Sequence, residues 1–224
     1  MIRKKTNNKR ASEGKVSKTV KRDKILKAAR KIFSEHPYPA ASMRMIAREA
    51  HIDHPLIIYY FPTKAALFEE LLKELTHEFS KAFPDWLNEI DFKMSAAKRI
   101  SIYLDRAIDF HRKHPEFARI TVLNMVQSAR SKNLIPGCHH LQKAQMLAAK
   151  IYSARSQSVL GADEFSLLQN SFGPLMINYM GAREYYAEIQ QVDPESDAYF
   201  KWVKENLMFL LMPLFKNKVF PKET

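Results

Sequence analysis

Glycine, cysteine and long apolar runs are scarce in this sequence. Only 5 of its 224 residues are glycine and one, Cys138, is cysteine, so an intramolecular disulfide is excluded. The first 20 residues are polar and basic, unlike a secretion signal, and the longest apolar stretch, 207–215, is too short to span a bilayer. We therefore expect a cytoplasmic protein that does not associate with membranes.

Sequence patterns typical of enzymes and of metal sites are missing as well. There is no glycine-rich phosphate loop, and no serine or cysteine has a base in a recognisable catalytic context. His111 and His114 lie one helical turn apart, and Cys138 is followed by His139 and His140, but neither group has the spacing of a known metal site. Surface histidines explain both groups better, so we predict no enzyme, no cofactor and no bound metal.

Acidic residues are rare in the first third of the chain. Residues 1–64 contain 16 Lys/Arg and 5 Asp/Glu, a balance of +11, whereas residues 65–224 contain 20 and 19, a balance of +1. Basic charge concentrated in one segment indicates a polyanionic partner. For residues 1–19 taken alone, a solubilising tail is the alternative interpretation.

The apolar residues that are present have helical periodicity. They make up 46% of the chain, and no segment alternates strictly between polar and apolar residues, which predicts an all-α fold. The first helix is predicted to begin near Val20 and to end at the prolines of residues 36–39. Its buried face comprises Ile25, Ala28, Ala29, Ile32 and Phe33.

Two shorter helices follow the first one. Ser42 is predicted to cap a helix at residues 43–50. Asp53 is predicted to cap a helix at residues 54–60, where Pro55 is tolerated in the first turn. Three helices with this spacing predict a helix-turn-helix unit that binds DNA.

Beyond this unit the pattern predicts only helices, joined by short loops that contain proline or glycine. The predicted spans are 64–83, 95–113, 115–131, 139–160, 163–187 and 196–215.

Five short segments near the start of the chain are characteristic in combination. They are ILKAA at 25–29, IFS at 32–34, SMRMIA at 42–47, YYFPTK at 59–64 and ALF at 66–68. With them, residues 22–72 resemble the N-terminal domain of the TetR family of bacterial transcriptional regulators. The resemblance implies that the third helix enters the major groove of DNA.

The resemblance also implies which residues touch DNA. His54, Pro55 and Leu56 would contact bases, while Tyr59, Tyr60, Ser42 and Lys64 would contact phosphates and Arg44 either a base edge or the backbone. The basic arm, especially Lys18, Lys21 and Arg22, would lie along the minor groove or the backbone. Alternatively, one of the two tyrosines belongs to the core and Lys64 is an ordinary solvated lysine.

Three positions depart from the family pattern, one of them Pro55, where relatives often have glycine. His51 occupies a turn position usually filled by glycine, and histidine adopts the left-handed conformation only at a cost. Ile58 occupies a position where many members have tyrosine. The operator sequence is therefore not predicted.

Family members dimerise through their last two long helices, which implies an interface here at 163–187 and 196–215. Both helices have wide apolar faces that a monomer is not expected to cover. These faces comprise Leu167, Leu168, Met176, Tyr179, Met180, Phe200, Val203, Leu207 and Leu210. A two-fold dimer would bind a palindromic operator in double-stranded DNA.

The resemblance further implies a pocket for a small effector within the helical body. The predicted lining residues are Tyr103, Phe110, Phe117, Asn124, Met125, Gln127, Phe172, Asn178 and Tyr179. Such an apolar lining would suit a hydrophobic ligand, although ordinary core packing explains each single residue better.

The chain is thus divided into three parts: a basic flexible arm at 1–19, a helix-turn-helix DNA-binding domain at 20–66, and a helical ligand-binding and dimerisation domain at 67–224. We predict a dimeric transcriptional regulator, most simply a repressor that an effector releases from DNA. A body that responds to a protein partner or to a metal ion remains the alternative.

Overall fold

The computed structural model describes residues 3–86, 88, 90, 94–125, 135–155 and 162–214. Side chains are described for residues 19–86, 88, 90, 94, 95, 97–125, 135–151 and 170–213. Within these ranges every regular element is a helix, which confirms the predicted all-α fold. No helix among the described residues is both long enough and apolar enough to cross a membrane.

Ten helices follow one another within the described ranges. They are α1 (Arg3–Glu35), α2 (Met43–Ala50), α3 (His54–Tyr60), α4 (Lys64–Trp86), α5 (Ala96–Lys113), α6 (Pro115–Met125), α7 (Cys138–Arg155), α8 (Ala162–Gly181), α9 (Arg183–Gln190) and α10 (Asp197–Leu214).

Helix α1 begins much earlier than predicted. It starts at Arg3, so the predicted start near Val20 is wrong. Lysine, arginine, alanine and glutamate are good helix formers, and no proline precedes Pro37. A polar composition therefore did not prevent helix formation here. The assignment of residues 1–19 to a separate DNA-binding arm stays a prediction.

Helices α1, α2 and α3 pack around a small apolar core. Ile25, Phe33, Ile46 and Ile57 are each fully buried there. Phe68 of α4 completes this core, with its ring centroid 4.7 Å from that of Phe33. The inward positions predicted from helical spacing are therefore the positions that pack.

The turn between α2 and α3 has the geometry that the unit requires. His51 adopts the left-handed conformation with φ 48°, the position that glycine usually fills. The amide of Ile52 donates to the carbonyl of Ala47 at 3.1 Å, which ends α2. Asp53 occupies the N-cap position of α3, but its side chain makes no capping hydrogen bond, contrary to prediction.

The helix predicted at residues 163–187 is two helices. α8 ends at Gly181, the chain turns at Ala182, and α9 begins at Arg183. Gly181 packs directly on α6, where an added Cβ would lie 2.6 Å from the carbonyl oxygen of Ala118. Gly181 accounts for both features. Its lack of a Cβ permits the close contact with α6, and its weak helix propensity favours the end of α8 at this residue.

Candidate DNA-binding site and its contacts with the body

The third helix presents one polar and aromatic face to solvent. His54 and Pro55 are exposed, and Tyr59 is 63% exposed, while Ile57 on the opposite face is fully buried. Tyr60 is half-buried and its ring lies edge-on to that of Tyr59, with centroids 5.3 Å apart. Residues of this face are thus available to a DNA groove.

Three further predicted contact residues surround this face. Leu56 is half-buried. Ser42 caps α2, because its hydroxyl accepts a hydrogen bond from the amide of Met45 at 3.2 Å. Arg44, in the first turn of α2, is exposed and can reach a phosphate or a base edge. These assignments stay predictions.

The basic residues of α1 divide into two groups. Lys21 is exposed. Arg22 instead points at α4, where its guanidinium donates to Glu70 at 2.6 Å and lies 5.4 Å from the ring centroid of Phe61. The side chain of Lys18 lies outside the described residues. Arg22 therefore holds α1 against α4 in this structure, rather than extending towards DNA.

Lys64, at the start of α4, is turned towards the loop between α1 and α2. Its ammonium donates to the carbonyls of Tyr38 at 2.7 Å and Ala41 at 2.8 Å. It also lies 4.4 Å from the ring centroid of Tyr38. Burial lowers the pKa of Lys64. This geometry supports a structural role for a residue that the sequence analysis assigned to a phosphate.

Replacing Lys64 by methionine separates these two roles. We expect the free energy of unfolding to fall by about 1–2 kcal/mol, because two carbonyls lose a charged donor. Tyr59→Ala should leave stability nearly unchanged but weaken DNA binding and flatten its salt dependence. Urea unfolding and DNA titrations at several salt concentrations measure both. Unchanged stability of Lys64→Met with a flatter salt slope would restore the phosphate assignment.

Asn124 of α6 joins the body to the DNA-binding domain. Its side-chain oxygen accepts a hydrogen bond from the backbone amide of Tyr38 at 2.8 Å. Its side-chain nitrogen donates to the carbonyl of Ile120 at 2.7 Å. Both polar atoms of this buried amide therefore have a partner within the chain, which favours a structural role, and the assignment of Asn124 to an effector pocket stays a prediction.

Arg30 forms a second contact between the two parts. Its guanidinium bonds to Glu78 of α4 at 2.7 Å and to Glu116 of α6 at 2.7 Å. Burial lowers the pKa of Arg30, but the hydrogen bonds that its guanidinium donates to Glu78 and Glu116 outweigh this effect, and the net shift of the pKa is upward. One side chain of α1 thus binds two helices of the body.

Arg119 forms the third contact. Its Nε donates to the carbonyl of Ser34, the penultimate residue of α1, at 3.2 Å. Its Nη1 donates to the carbonyl of Gly181 at 3.2 Å and to the carboxylate of Glu184. These residues border a cleft of about 410 Å³ between α1, α6 and the α8–α9 turn. Helix α6 therefore contacts the DNA-binding domain through Glu116 in its first turn, Arg119 in its middle and Asn124 near its end.

Four of the predicted pocket residues come together in the body. Phe110 and Phe117 are buried, and Tyr103 and Phe172 are half-buried with ring centroids 5.6 Å apart. The sequence analysis missed the aromatic residues of α4 that join them. They are Phe79, Phe83 and Trp86. The ring of Phe79 stacks on that of Phe117 at 5.5 Å, so α4 supplies much of this aromatic cluster.

The other predicted pocket residues lie elsewhere. Met125 is 49% exposed, so its place in a pocket lining is not supported. Asn178 donates to the hydroxyl of Tyr186, and the ring of Tyr179 packs against that of Trp202 at 5.4 Å. These contacts form a second aromatic group between α8, α9 and α10. Gln127 lies outside the described residues.

His111 is buried, which corrects the prediction of a surface histidine. Its side chain is 3% exposed among Phe110 and Phe117, and its Nδ1 has no hydrogen-bond partner among the described residues. Burial, and to a lesser extent the nearby His114, lowers the pKa of His111 to about 3. A buried polar atom without a partner is the feature expected where a ligand or a water binds.

Acidification should therefore destabilise the protein through His111. The unfolded chain binds a proton near pH 6.5, whereas folded His111 does so only at about pH 3, so stability falls as pH falls through this interval. Between pH 7.5 and 5, we expect the wild type to lose about 2 kcal/mol more than His111→Leu. Urea unfolding at both pH values measures this. Equal losses would contradict a neutral, buried His111, and the exposed His77→Leu is the control.

A basic N-terminal part with an exposed α3 defines a helix-turn-helix DNA-binding protein. Residues 25–71 match the family model described as "Bacterial regulatory proteins, tetR family". Over these residues the chain has the N-terminal DNA-binding domain of the TetR family of bacterial regulatory proteins.

Relatives and solved structures agree with this assignment. The chain is 21% identical over 199 residues to the Probable HTH-type transcriptional regulator YttP of Bacillus subtilis, covering 88% of this chain and 94% of the relative. It is 30% identical over 128 residues to the HTH-type transcriptional repressor NicS of Pseudomonas putida, covering 57% of this chain and about half, 55%, of that repressor.

Among solved structures, the transcriptional regulator FadR of Bacillus subtilis in complex with stearoyl-CoA shares the fold. The TM-score is 0.56 at 19% identity, covering 82% of this chain and 96% of that chain. Together with the family match, these relatives identify the protein as a helix-turn-helix transcriptional regulator.

Proposed function

We propose that the protein is a dimeric repressor that a small hydrophobic effector releases from a palindromic DNA operator in the cytoplasm. The observation that carries this proposal is the set of contacts between α6 and the DNA-binding domain. Asn124 and Arg119 of α6 bond to backbone groups of residues 34 and 38, and Glu116 pairs with Arg30. A displacement of α6 would therefore move the DNA-binding domain.

The body offers an apolar environment for an effector next to α6. Phe117 belongs to α6 and stacks on Phe79, while the buried Nδ1 of His111 provides one unoccupied polar atom nearby. Apolar pockets with one or two polar anchors are typical of small-molecule sites. The complex of FadR with stearoyl-CoA is an example of the same fold with a long-chain acyl ligand.

Release from DNA would follow from a shift in population. An effector that binds one arrangement of α6 more tightly stabilises the matching orientation of the DNA-binding domains. When the two domains of a dimer no longer match successive major grooves, DNA affinity falls by the ratio of the effector's affinities for the two states.

Selection from a random duplex DNA library tests the proposed function. The purified full-length protein should enrich an inverted repeat, and its affinity should fall steeply as salt concentration rises. Enrichment of a single half-site would contradict the dimer, and a lack of any enriched sequence would contradict sequence-specific repression. Adding long-chain acyl compounds to the bound complex then tests release.

Fewer of the predicted dimer-interface residues are exposed than the sequence analysis expected. Met176, Met180, Phe200, Val203 and Leu207 are buried within one chain, so the expectation that a monomer leaves them uncovered is wrong. The side chains of the predicted interface residues Leu167 and Leu168 lie outside the described residues. On α10, Phe209 is 80% exposed and Leu210 47% exposed, and these two support an interface.

Replacing Phe209 by lysine should convert the dimer to a monomer. A charge in the centre of an apolar interface is left without a partner when a second chain covers it. The control is Met146→Lys on α7, where Met146 is 65% exposed. Sedimentation equilibrium measures both variants. A Phe209→Lys protein that dimerises like the wild type would exclude this surface as the interface.

A further inference from the structure

Two histidines and one glutamate converge where α7 begins. Nε2 of His139 lies 3.8 Å, and Nε2 of His140 lies 3.7 Å, from the same carboxylate oxygen of Glu69 on α4. One ligating atom from each of the three residues lies within 4.8 Å of the others. The sequence analysis discounted the two histidines as metal ligands because their spacing matches no known site, and Glu69 is distant from them in the chain.

The close approach of α7 to α4 produces this arrangement. Gly137 has φ +78°, and an added Cβ there would lie 2.9 Å from Cα of Glu69. Only glycine combines this conformation with this contact. The first turn of α7 is therefore seated on the backbone of α4 at Glu69, and the two following histidines are held beside its carboxylate.

The distances suit a metal ion better than a hydrogen bond. At 3.7 and 3.8 Å the nitrogens and the carboxylate oxygen are too far apart to bond directly. Tetrahedral zinc holds ligands at about 2.0–2.1 Å, which separates them by about 3.4 Å. Movements of a few tenths of an ångström would close that difference for the two pairs that include Glu69, and the two imidazole nitrogens lie within 4.8 Å of each other.

We propose that Glu69, His139 and His140 bind one divalent transition-metal ion. Imidazole and carboxylate ligands together suit zinc, nickel, cobalt or copper. Three protein ligands leave a fourth position for water. The site goes beyond the proposed effector response, because it lies between α4 and α7, away from the aromatic cluster around Phe117.

A second group of possible ligands carries no such inference. Glu78, His114 and Glu116 also lie within 4.8 Å of one another. However, the guanidinium of Arg30 bonds to both carboxylates at 2.7 Å. A cation there would have to displace Arg30, so this group is an ion-pair network, and His114 becomes a useful control.

Cobalt titration of the full-length protein tests the site. The visible absorption of Co²⁺ reports tetrahedral coordination directly, and competition with Zn²⁺ gives relative affinities. We expect one ion per chain. Each of Glu69→Gln, His139→Gln and His140→Gln should weaken binding by at least about tenfold, since loss of even an indirect supporting group costs about 10–100-fold.

His114→Gln and His77→Gln are the matched controls. They should bind cobalt like the wild type, and circular dichroism should show that all five variants are folded. Wild-type affinity in the three ligand variants, or a loss of binding in His114→Gln alone, would overturn the proposal. So would the absence of a tetrahedral cobalt spectrum in the wild type.

Discussion

Replacing Arg30 by methionine is expected to lower the free energy of unfolding by about 3 kcal/mol, because two carboxylates lose their hydrogen-bonded partner. Arg30 is 23% exposed and Glu116 only 17%, so water would solvate the remaining charges poorly. Urea unfolding with fluorescence detection measures the loss. DNA affinity should fall as well, since α1 would lose the ion pairs that Arg30 makes with both α4 and α6.

The matched control is Lys31→Met, one residue further along α1. Lys31 pairs with Glu49 at 3.0 Å, but it is 55% exposed, and surface ion pairs contribute little. We expect its stability to remain close to that of the wild type. If both variants lost the same stability, the effect would come from helix α1 itself and not from the Arg30 network.

Substituting alanine for Gly181 should lower the free energy of unfolding by about 2–3 kcal/mol, because the interior cannot accommodate an added methyl group without strain. That group would lie 2.6 Å from the carbonyl oxygen and 2.9 Å from the carbonyl carbon of Ala118. A backbone cannot move aside as a flexible side chain can, so α8 would have to separate from α6. Thermal unfolding together with urea unfolding would measure the change.

Gly173→Ala controls for the intrinsic effect of alanine in α8. No atom of a neighbouring element among the described residues lies within 4 Å of the position that its Cβ would occupy. We expect a change of less than about 1 kcal/mol in either direction, because helix propensity favours alanine while the following Pro174 disfavours a Cβ before it. Equal destabilisation in both variants would refute the importance of the contact between Gly181 and α6.

The DNA-binding domain could be predicted in detail because its signals are local. The bounds of α2 and α3 follow from helical spacing, supported at α2 by the Ser42 cap, and Ile46 and Ile57 pack as that spacing indicates. His51 adopts the left-handed conformation even without glycine. In this region the neighbouring residues determine the structure almost alone.

The partners of long polar side chains could not be predicted, because they lie far apart in the chain. Arg22 pairs with a residue 48 positions away, Lys64 bonds to carbonyls 23 to 26 positions back, and Asn124 reaches across 86 positions to Tyr38. Arg22 and Lys64 were assigned to DNA through the family resemblance, and Asn124 was assigned to an effector as a polar residue of the body. Folding instead placed each one against a helix or a loop of its own chain.

The contacts of apolar residues in the helical body could not be predicted either, for the same reason. Helical periodicity correctly identified Met176 and Leu207 as apolar positions, but it cannot tell whether a neighbouring helix or a second chain covers them. The close approach at Gly181, and the position of Glu69 beside His139, likewise depend on which helices pack together. Sequence spacing contains no direct information about that choice.

The contacts of α6 with α1 have a consequence in genetic terms. Alleles that bind DNA but no longer respond to inducer should include substitutions at Asn124 and Arg119, although neither residue lies on the exposed face of α3. Such alleles would map to α6, a helix that is not part of the DNA-binding surface. A screen for uninducible mutants would therefore identify residues that couple the body to the DNA-binding domain, even before the inducer itself has been identified.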